Sequence, residues 1–415
     1  MLKVEVYMKS NNEKLRNEKL KWLFRESLFL LITFIVLIII SFNSDFLINS
    51  SLRIVFIILS LFCIGGIIYS YKKFTFKKLY IILFIIYTVC CSAFIFILYG
   101  PNKSFKDWLI TTAMGTQTHQ YYCKWFYNEN DINNTLAKHY IIEPDEDTNS
   151  SLVNKNEEDN NEEDNNDEVV YKNEYEKIIL DRDKDAAYKI HEFDYKGSDA
   201  YLGIVYNPED VHVGVTKYLF DRGEYVINMT KRYNSELAIN AGRFEDPNYS
   251  GSAGTPVGIT YSNGILKTGG STTQSKVIGF NEDNVLMLIN DCTVEKAEKL
   301  KIRDSVYSAP FLIVNGKPSF IAGNGGWGVA ARTAIGQRKD GIVLFLVIDS
   351  NEFRTAGADM VNLTEIMMNY GAINAANLDG GTSSVMAHHH KLINDPIDST
   401  LTHKTRPVAT MFYVE

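Results

Sequence analysis

The stretch "RTAIGQRKDGIVLFLVIDS", Arg332 to Ser350, carries the clearest structural signal in the chain. "RTAIGQ" and "IVLFLVIDS" read as two strands, and "RKDG" between them reads as the tight turn of a hairpin. The second strand is apolar at odd and even positions alike, so both of its faces must be buried. Asp349 stands where it ends. After a loop, Met360, Leu363, Ile366, Met367 and Tyr370 recur at helical spacing, Gly371 supplies a stop, and "AINAANLD" resumes as a strand. A strand, helix, strand unit of this kind makes its two strands parallel and adjacent or nearly so. Asp349 and Asp379 then share the carboxyl edge of the sheet, where open sheets bind ligands. The expected class is α/β in the broad sense, a mixed α+β domain.

Two polar clusters accompany that edge. In "AANLDGGTSSVM", Ala375 to Met386, Gly380 and Gly381 let main-chain amides approach a ligand, and Thr382, Ser383 and Ser384 add short donors suited to anionic oxygens. In "AINAGRFEDP", Ala238 to Pro247, an apolar approach ends in Asn240, Gly242, Arg243 and Asp246. A third run, "AGNGGWGVAARTAIG", brings in Arg332, whose planar fork suits a phosphate. Taken singly, "DGG" is also an ordinary turn and the Asn240 cluster also a strand followed by a loop.

The rest of the 415 residues divides by composition. Apolar runs at Leu28–Phe42, Ile54–Tyr71 and Leu79–Tyr99 predict three transmembrane helices within 28–99, the first of which needs flanking residues to span. Basic residues crowd the segment 1–27 and the loop Lys72–Lys78, while Arg53 alone marks the other loop. The positive-inside rule therefore puts the N-terminus in the cytoplasm and everything after Tyr99 outside, at the cell membrane. A juxtamembrane segment, 100–142, is rich in aromatics; within it His119 and Cys123 lie one helical turn apart, a spacing that suits packing more than metal. An acidic linker, 143–176, holds 14 carboxylates against 2 lysines, a local charge of -12 within a total of -8, so the rest of the chain carries +4. Its run "EEDNNEEDNNDE" cannot form a core and lacks EF-hand spacing. The folded domain is expected over 177–415. Three of the five cysteines fall inside apolar runs, which leaves no disulfide framework or CxxC site to read. The bilayer is one expected partner, nucleic acid is not, and the oligomeric state is left open.

"INAGRF", "NGGWGVAARTAIGQRKDG", "LVIDS", "NAANLDGGTSSVM" and the terminal "RPVATMFYV", in that order, resemble the successive blocks of the phosphodiester glycosidase family. The resemblance implies hydrolysis of a sugar-1-phosphodiester at the anomeric carbon, with a sugar-phosphate or phosphoglycan as substrate. It implies a site containing Asn240, Arg332, Asp349, Asn377, Asp379, Gly380, Gly381 and Ser383, with Arg406 at a further family position. On this reading Asp379 is base or nucleophile, Asp349 assists or orients it, and Arg332 with the amides of Gly380 and Gly381 holds phosphate. Asn240 and Asn377 hold sugar hydroxyls or position the carboxylates. The chain departs from the pattern at Ala241, Arg243, Ser350 and Thr382; Arg243, where an aromatic is usual, either enlarges the phosphate grip or obstructs the sugar.

Three alternatives stay open. Two carboxylates at one crevice also suit a divalent cation, calcium or magnesium. The fold could grip phosphoglycans without cleaving them, or transfer the sugar to a hydroxyl other than water. His388 to His390 are expected in a hairpin turn rather than at a metal, and His212 reads as a strand histidine.

Overall fold

The computed structural model describes all residues except Met1, 45–49, 71–77, 117–119, 155–170, 247–251, 351–356 and 398–401. The chain forms two compact units, Met1–Lys138 and His139–Glu415.

In the first unit three helices, Leu2–Asn43, Ser50–Ser70 and Lys78–Tyr99, contain stretches long and apolar enough to cross a membrane. Their apolar side chains point outward; Phe62 is 73% exposed. The first helix is longer than its apolar run because the basic N-terminal segment continues it. The aromatic segment beyond Tyr99 folds back onto the third helix, as Tyr127 donates to Leu98 O (3.0 Å) and Tyr99 to Phe126 O (2.8 Å). His119 lies outside the described residues, whereas Cys123 is buried in this packing and free.

The second unit is built on a seven-stranded sheet in the order 317–318, 311–314, 372–377, 332–338, 343–348, 198–205, 188–195. Alternation explains the doubly apolar strand: Val343, Phe345 and Val347 face one core, and Leu344, Leu346 and Ile348 face another. The first core lies between this sheet and two five-stranded sheets, where Phe345, Phe412 and Phe280 meet. The second is covered by the helix Met360–Asn369, opened by a capping box between Asp359 and Asn362.

The predicted hairpin forms, with Arg332 opposite Ile348 and Gln337 opposite Val343. The strands Val343–Ile348 and Ala372–Asn377 are parallel, but not neighbours: Arg332–Arg338 lies between them, antiparallel to both. Every hydrogen-bonded ladder among the described strands is antiparallel, so the domain is β-rich and mixed rather than doubly wound.

The domain boundary differs from the sequence expectation. Residues 139–154, assigned above to the juxtamembrane segment and the acidic linker, belong to the second unit. Ile141–Ile142 pairs with Phe320–Ile321, Thr148 N donates to Leu288 O (3.0 Å), and Asn154 N to Lys339 O (2.8 Å). Glu143, Glu146 and Asp147 ion-pair with Lys276, Lys317 and Lys296. Carboxylates that resemble a solvated tether in sequence here meet lysines more than a hundred residues away. The run "EEDNNEEDNNDE" lies outside the described residues. His389 and His390 form the two-residue turn between Met386–His388 and Lys391–Leu392, both at positive φ, as a hairpin requires. His212 is a strand residue bonded to Asp304 (3.2 Å).

Candidate active site

The register of the central hairpin brings three chain ends to one edge. Arg332 begins its strand opposite Ile348, and Ala334 stands opposite Asn377, so Arg332 starts where Asp349 and Asp379 leave their strands. A strand of the second sheet, Leu237–Asn240, arrives at the same place.

Asn240 joins the two sheets. Its Oδ1 accepts from Thr333 Oγ1 (2.7 Å) and Val385 N (3.0 Å), and its Nδ2 donates to Asp379 O (2.6 Å). It is fully buried and so committed that it fixes the main chain of Asp379, leaving little capacity for a sugar hydroxyl. Asn377 donates to Ala309 O (2.8 Å), and its buried Oδ1 takes no hydrogen bond. Gly242 is closely packed, since a Cβ there would stand 2.7 Å from Val306 Cβ.

Gly380 and Gly381 do not form the open amide nest expected of them. Gly381 N donates to Ala331 O (2.8 Å), and the Gly380 amide is directed at the Asp379 carboxylate. The short 3-10 turn Gly381–Ser383 folds these groups inward; Thr382 remains partly exposed, while the buried hydroxyls of Ser383 and Ser384 have no well-aligned partner.

Arg332 is also more committed than a free phosphate grip. Its Nε donates to Ala358 O (3.0 Å) and its Nη2 to Trp327 O (2.7 Å) and Gly328 O (2.8 Å). It therefore bolts two loops together, and Nη1, beside Gly380, makes no hydrogen bond among the described residues. Burial lowers its pKa to about 10, with Asp359 opposing and Arg243 reinforcing that shift, so it stays charged at neutral pH. Arg406 pairs with Asp246 (2.9 Å) over the ring of Phe244. Arg243 differs from both. Its guanidinium lies 4.5 Å above the ring of Trp327 but makes no hydrogen bond and no ion pair among the described residues, and its Nε is buried.

The two aspartates are held differently. In Asp349, Oδ1 accepts from Asn394 Nδ2 and Oδ2 from Asp395 N, both at 2.7 Å. Burial raises its pKa; the two donors pull it back, and the carboxylates of Asp395 and Asp199 push it up further. Asn394 also donates to Ser384 O (3.0 Å) and accepts from Met386 N (2.7 Å), which ties Asp349 to the segment after Asp379. Asp379 keeps a partly exposed face. Burial raises its pKa too, countered by Ser383, Arg243, Arg406 and the Gly380 amide.

This donor set does not suit a divalent cation. Both oxygens of Asp349 already accept from N–H groups, and cationic side chains surround Asp379. The arrangement suits an anion next to the carboxylate of Asp379, a partly exposed residue. Beside Arg406 lies a cavity of about 230 Å³, lined by Tyr225, Val226, Asn228, Val385 and Leu392.

Sequence reasoning missed Thr333, Asn394 and Asp395 as supports, and the stack of Trp327 on Arg243. Trp327 and Asp246 lay inside quoted clusters; nothing local marks Asn394 as the partner of a residue 45 positions earlier.

Residues 233–415 match the family model described as phosphodiester glycosidase. The match leaves out the strands Tyr188–Tyr195 and Ser198–Val205, which complete the same sheet. An uncharacterized protein of the SPbeta prophage of Bacillus subtilis, YomE, is 29% identical over 188 residues, which is 42% of this chain and 28% of that protein. The chain thus spans less than a third of that relative's length. Similar solved structures include the zebrafish N-acetylglucosamine-1-phosphodiester alpha-N-acetylglucosaminidase catalytic domain, auto-inhibited by its pro-peptide, with 17% identity, a TM-score of 0.47, and coverage of 56% of this chain and 85% of that one. A hypothetical protein from Synechocystis gives 14%, 0.40, 55% and 61% for the same measures. Over residues 233–415, where the ordered blocks fall, the chain is thus similar to the phosphodiester glycosidase family.

Proposed function

We propose that this domain hydrolyses glycosyl-1-phosphodiesters at a membrane surface, releasing a sugar and a phosphomonoester. The observation that carries the reading is Arg243, a cation that makes no ion pair among the described residues, stacked on Trp327 and acting electrostatically on Asp379. Asp379 is the strand-end aspartate that stays partly exposed.

Cleavage breaks the bond between the anomeric carbon and the phosphate oxygen through an oxocarbenium-like transition state. Asp379 takes the proton of the attacking water or attacks the carbon itself, and a pKa raised by burial makes it a better base. The departing phosphate oxygen keeps the bonding electron pair, and Arg243 with Arg332 Nη1 stabilises that charge. A phosphomonoester leaves readily, so little acid assistance is required. Asp349 acts through Asn394 on the Ser384 segment and is a positioning residue.

Two other readings share the fold. A phosphoglycan-binding module would exploit Arg243 alike, but a carboxylate beside the bound anion would weaken its grip. A transferase would use the same residues with another hydroxyl as acceptor. Full-length protein in detergent, incubated with a panel of glycosyl-1-phosphodiesters that includes the N-acetylglucosamine compound, should release free sugar. Binding without release supports the module, and a new glycoside in place of free sugar supports the transferase.

The three apolar helices support action at a membrane, with the domain on the extracytoplasmic side by the positive-inside rule. Envelope or extracellular polysaccharide is the substrate source this arrangement favours.

A further inference from the structure

The loop Ala322–Gly328 forms one wall of the site: its Trp327 carries Arg243, and its Trp327 and Gly328 carbonyls hold Arg332. Its other side rests on the first residues of the second unit. Ala322 N donates to Tyr140 O (2.9 Å), and Asn324 N donates to His139 Nδ1 (3.2 Å). The contact is too close for a side chain at Gly325 or Gly326. A Cβ on Gly326, at φ +79°, would stand 2.7 Å from His139 O, and one on Gly325 would stand 2.8 Å from Ile141 Cδ1. Ile141–Ile142 adds strand pairing with Phe320–Ile321 just before the loop begins.

We infer that His139–Ile142 is a positioning element of the site, which shapes the Ala322–Gly328 loop and through Trp327 sets where Arg243 stands. The placement in the chain gives this a consequence. His139 directly follows the last residue of the unit that contains the apolar helices, so the segment leaving that unit also finishes the site. A domain cut at Lys177, where composition alone would start it, keeps this wall but lacks the segment that supports it. The inference builds on the proposed function for its kinetic consequence, but its structural part stands alone.

The discriminating variants replace His139 in the full-length protein. An asparagine can put its Oδ1 where His139 Nδ1 lies and keep the bond to Asn324 N, whereas leucine cannot. Hydrogen exchange measured over residues 322–331 should quicken roughly 5- to 10-fold in His139→Leu, the loss of about one partly buried hydrogen bond. Exchange should return toward the wild-type rate in His139→Asn. Gly326→Ala, which forces the same contact apart from the loop side, should match His139→Leu. On a glycosyl phosphodiester that the wild type turns over, His139→Leu should raise KM several-fold with kcat less affected, because Arg243 acts on the phosphate. Unchanged exchange in His139→Leu overturns the inference, as does a global loss of stability that asparagine fails to rescue. A wild type inactive on every phosphodiester, with the exchange pattern as described, rejects the proposed function and leaves the positioning role standing.

Discussion

Asp349 and Asp379 occupy equivalent places: each follows a buried parallel strand, at the same edge of the same sheet, and burial raises the pKa of each. Their surroundings separate them. Asp349 gives both oxygens to the Asn394–Asp395 turn and is pushed further upward by two other carboxylates. Asp379 keeps a partly exposed face, and arginines hold its pKa down. Equal positions in a sheet therefore do not imply equal roles; the loops that reach the edge decide which carboxylate is tied and which can react.

The largest effect expected from breaking this contrast is at Asp379. Asp379→Asn should lower kcat by about 10²- to 10⁴-fold while leaving the thermal midpoint close to that of the wild type. Arg243→Ala should come next, raising KM for the phosphodiester by roughly 10- to 100-fold through the loss of a charged hydrogen-bonding partner. It should also move the acid limb of the pH profile. Asp379 must be ionised to act as base, so kcat/KM falls as pH drops through its raised pKa. Arg243 lowers that pKa, and its removal should shift the limb to higher pH. Asp349→Asn should do less to catalysis and more to stability. One of the two N–H donors now bonded to its oxygens loses its acceptor, which costs about 1–3 kcal/mol, and the acid limb should stay in place. The smallest expected effect is that of a chelator. Incubation with EDTA should leave turnover unchanged, and its loss would reopen the reading of the two aspartates as a cation site.

The contrast also marks what the sequence could and could not convey. "IVLFLVIDS" reads correctly as a buried strand because a doubly apolar run has few other homes, "AINAANLD" reads correctly as a strand after a helix, and that helix puts both aspartates on one edge whatever the strand between. The fate of each carboxylate depended on distant pairings. Asn394, which ties Asp349, looks like any turn residue, and Arg332 looks like a free cation until three loop carbonyls take its hydrogens. Glu143, Glu146 and Asp147 were assigned to the linker for the same reason, since composition reports charge and not the lysine that meets it. Arg243 was the reverse case: one of four departures from the family pattern, visible in sequence, is the site arginine that makes neither a hydrogen bond nor an ion pair among the described residues.

The most direct test compares release of free sugar from a glycosyl-1-phosphodiester by full-length wild type, Asp379→Asn and Asp349→Asn under one set of conditions. The account predicts turnover by the wild type, near silence from Asp379→Asn in a folded protein, and reduced but clear turnover by Asp349→Asn. Full activity in Asp379→Asn, or silence from Asp349→Asn at unchanged stability, would contradict it.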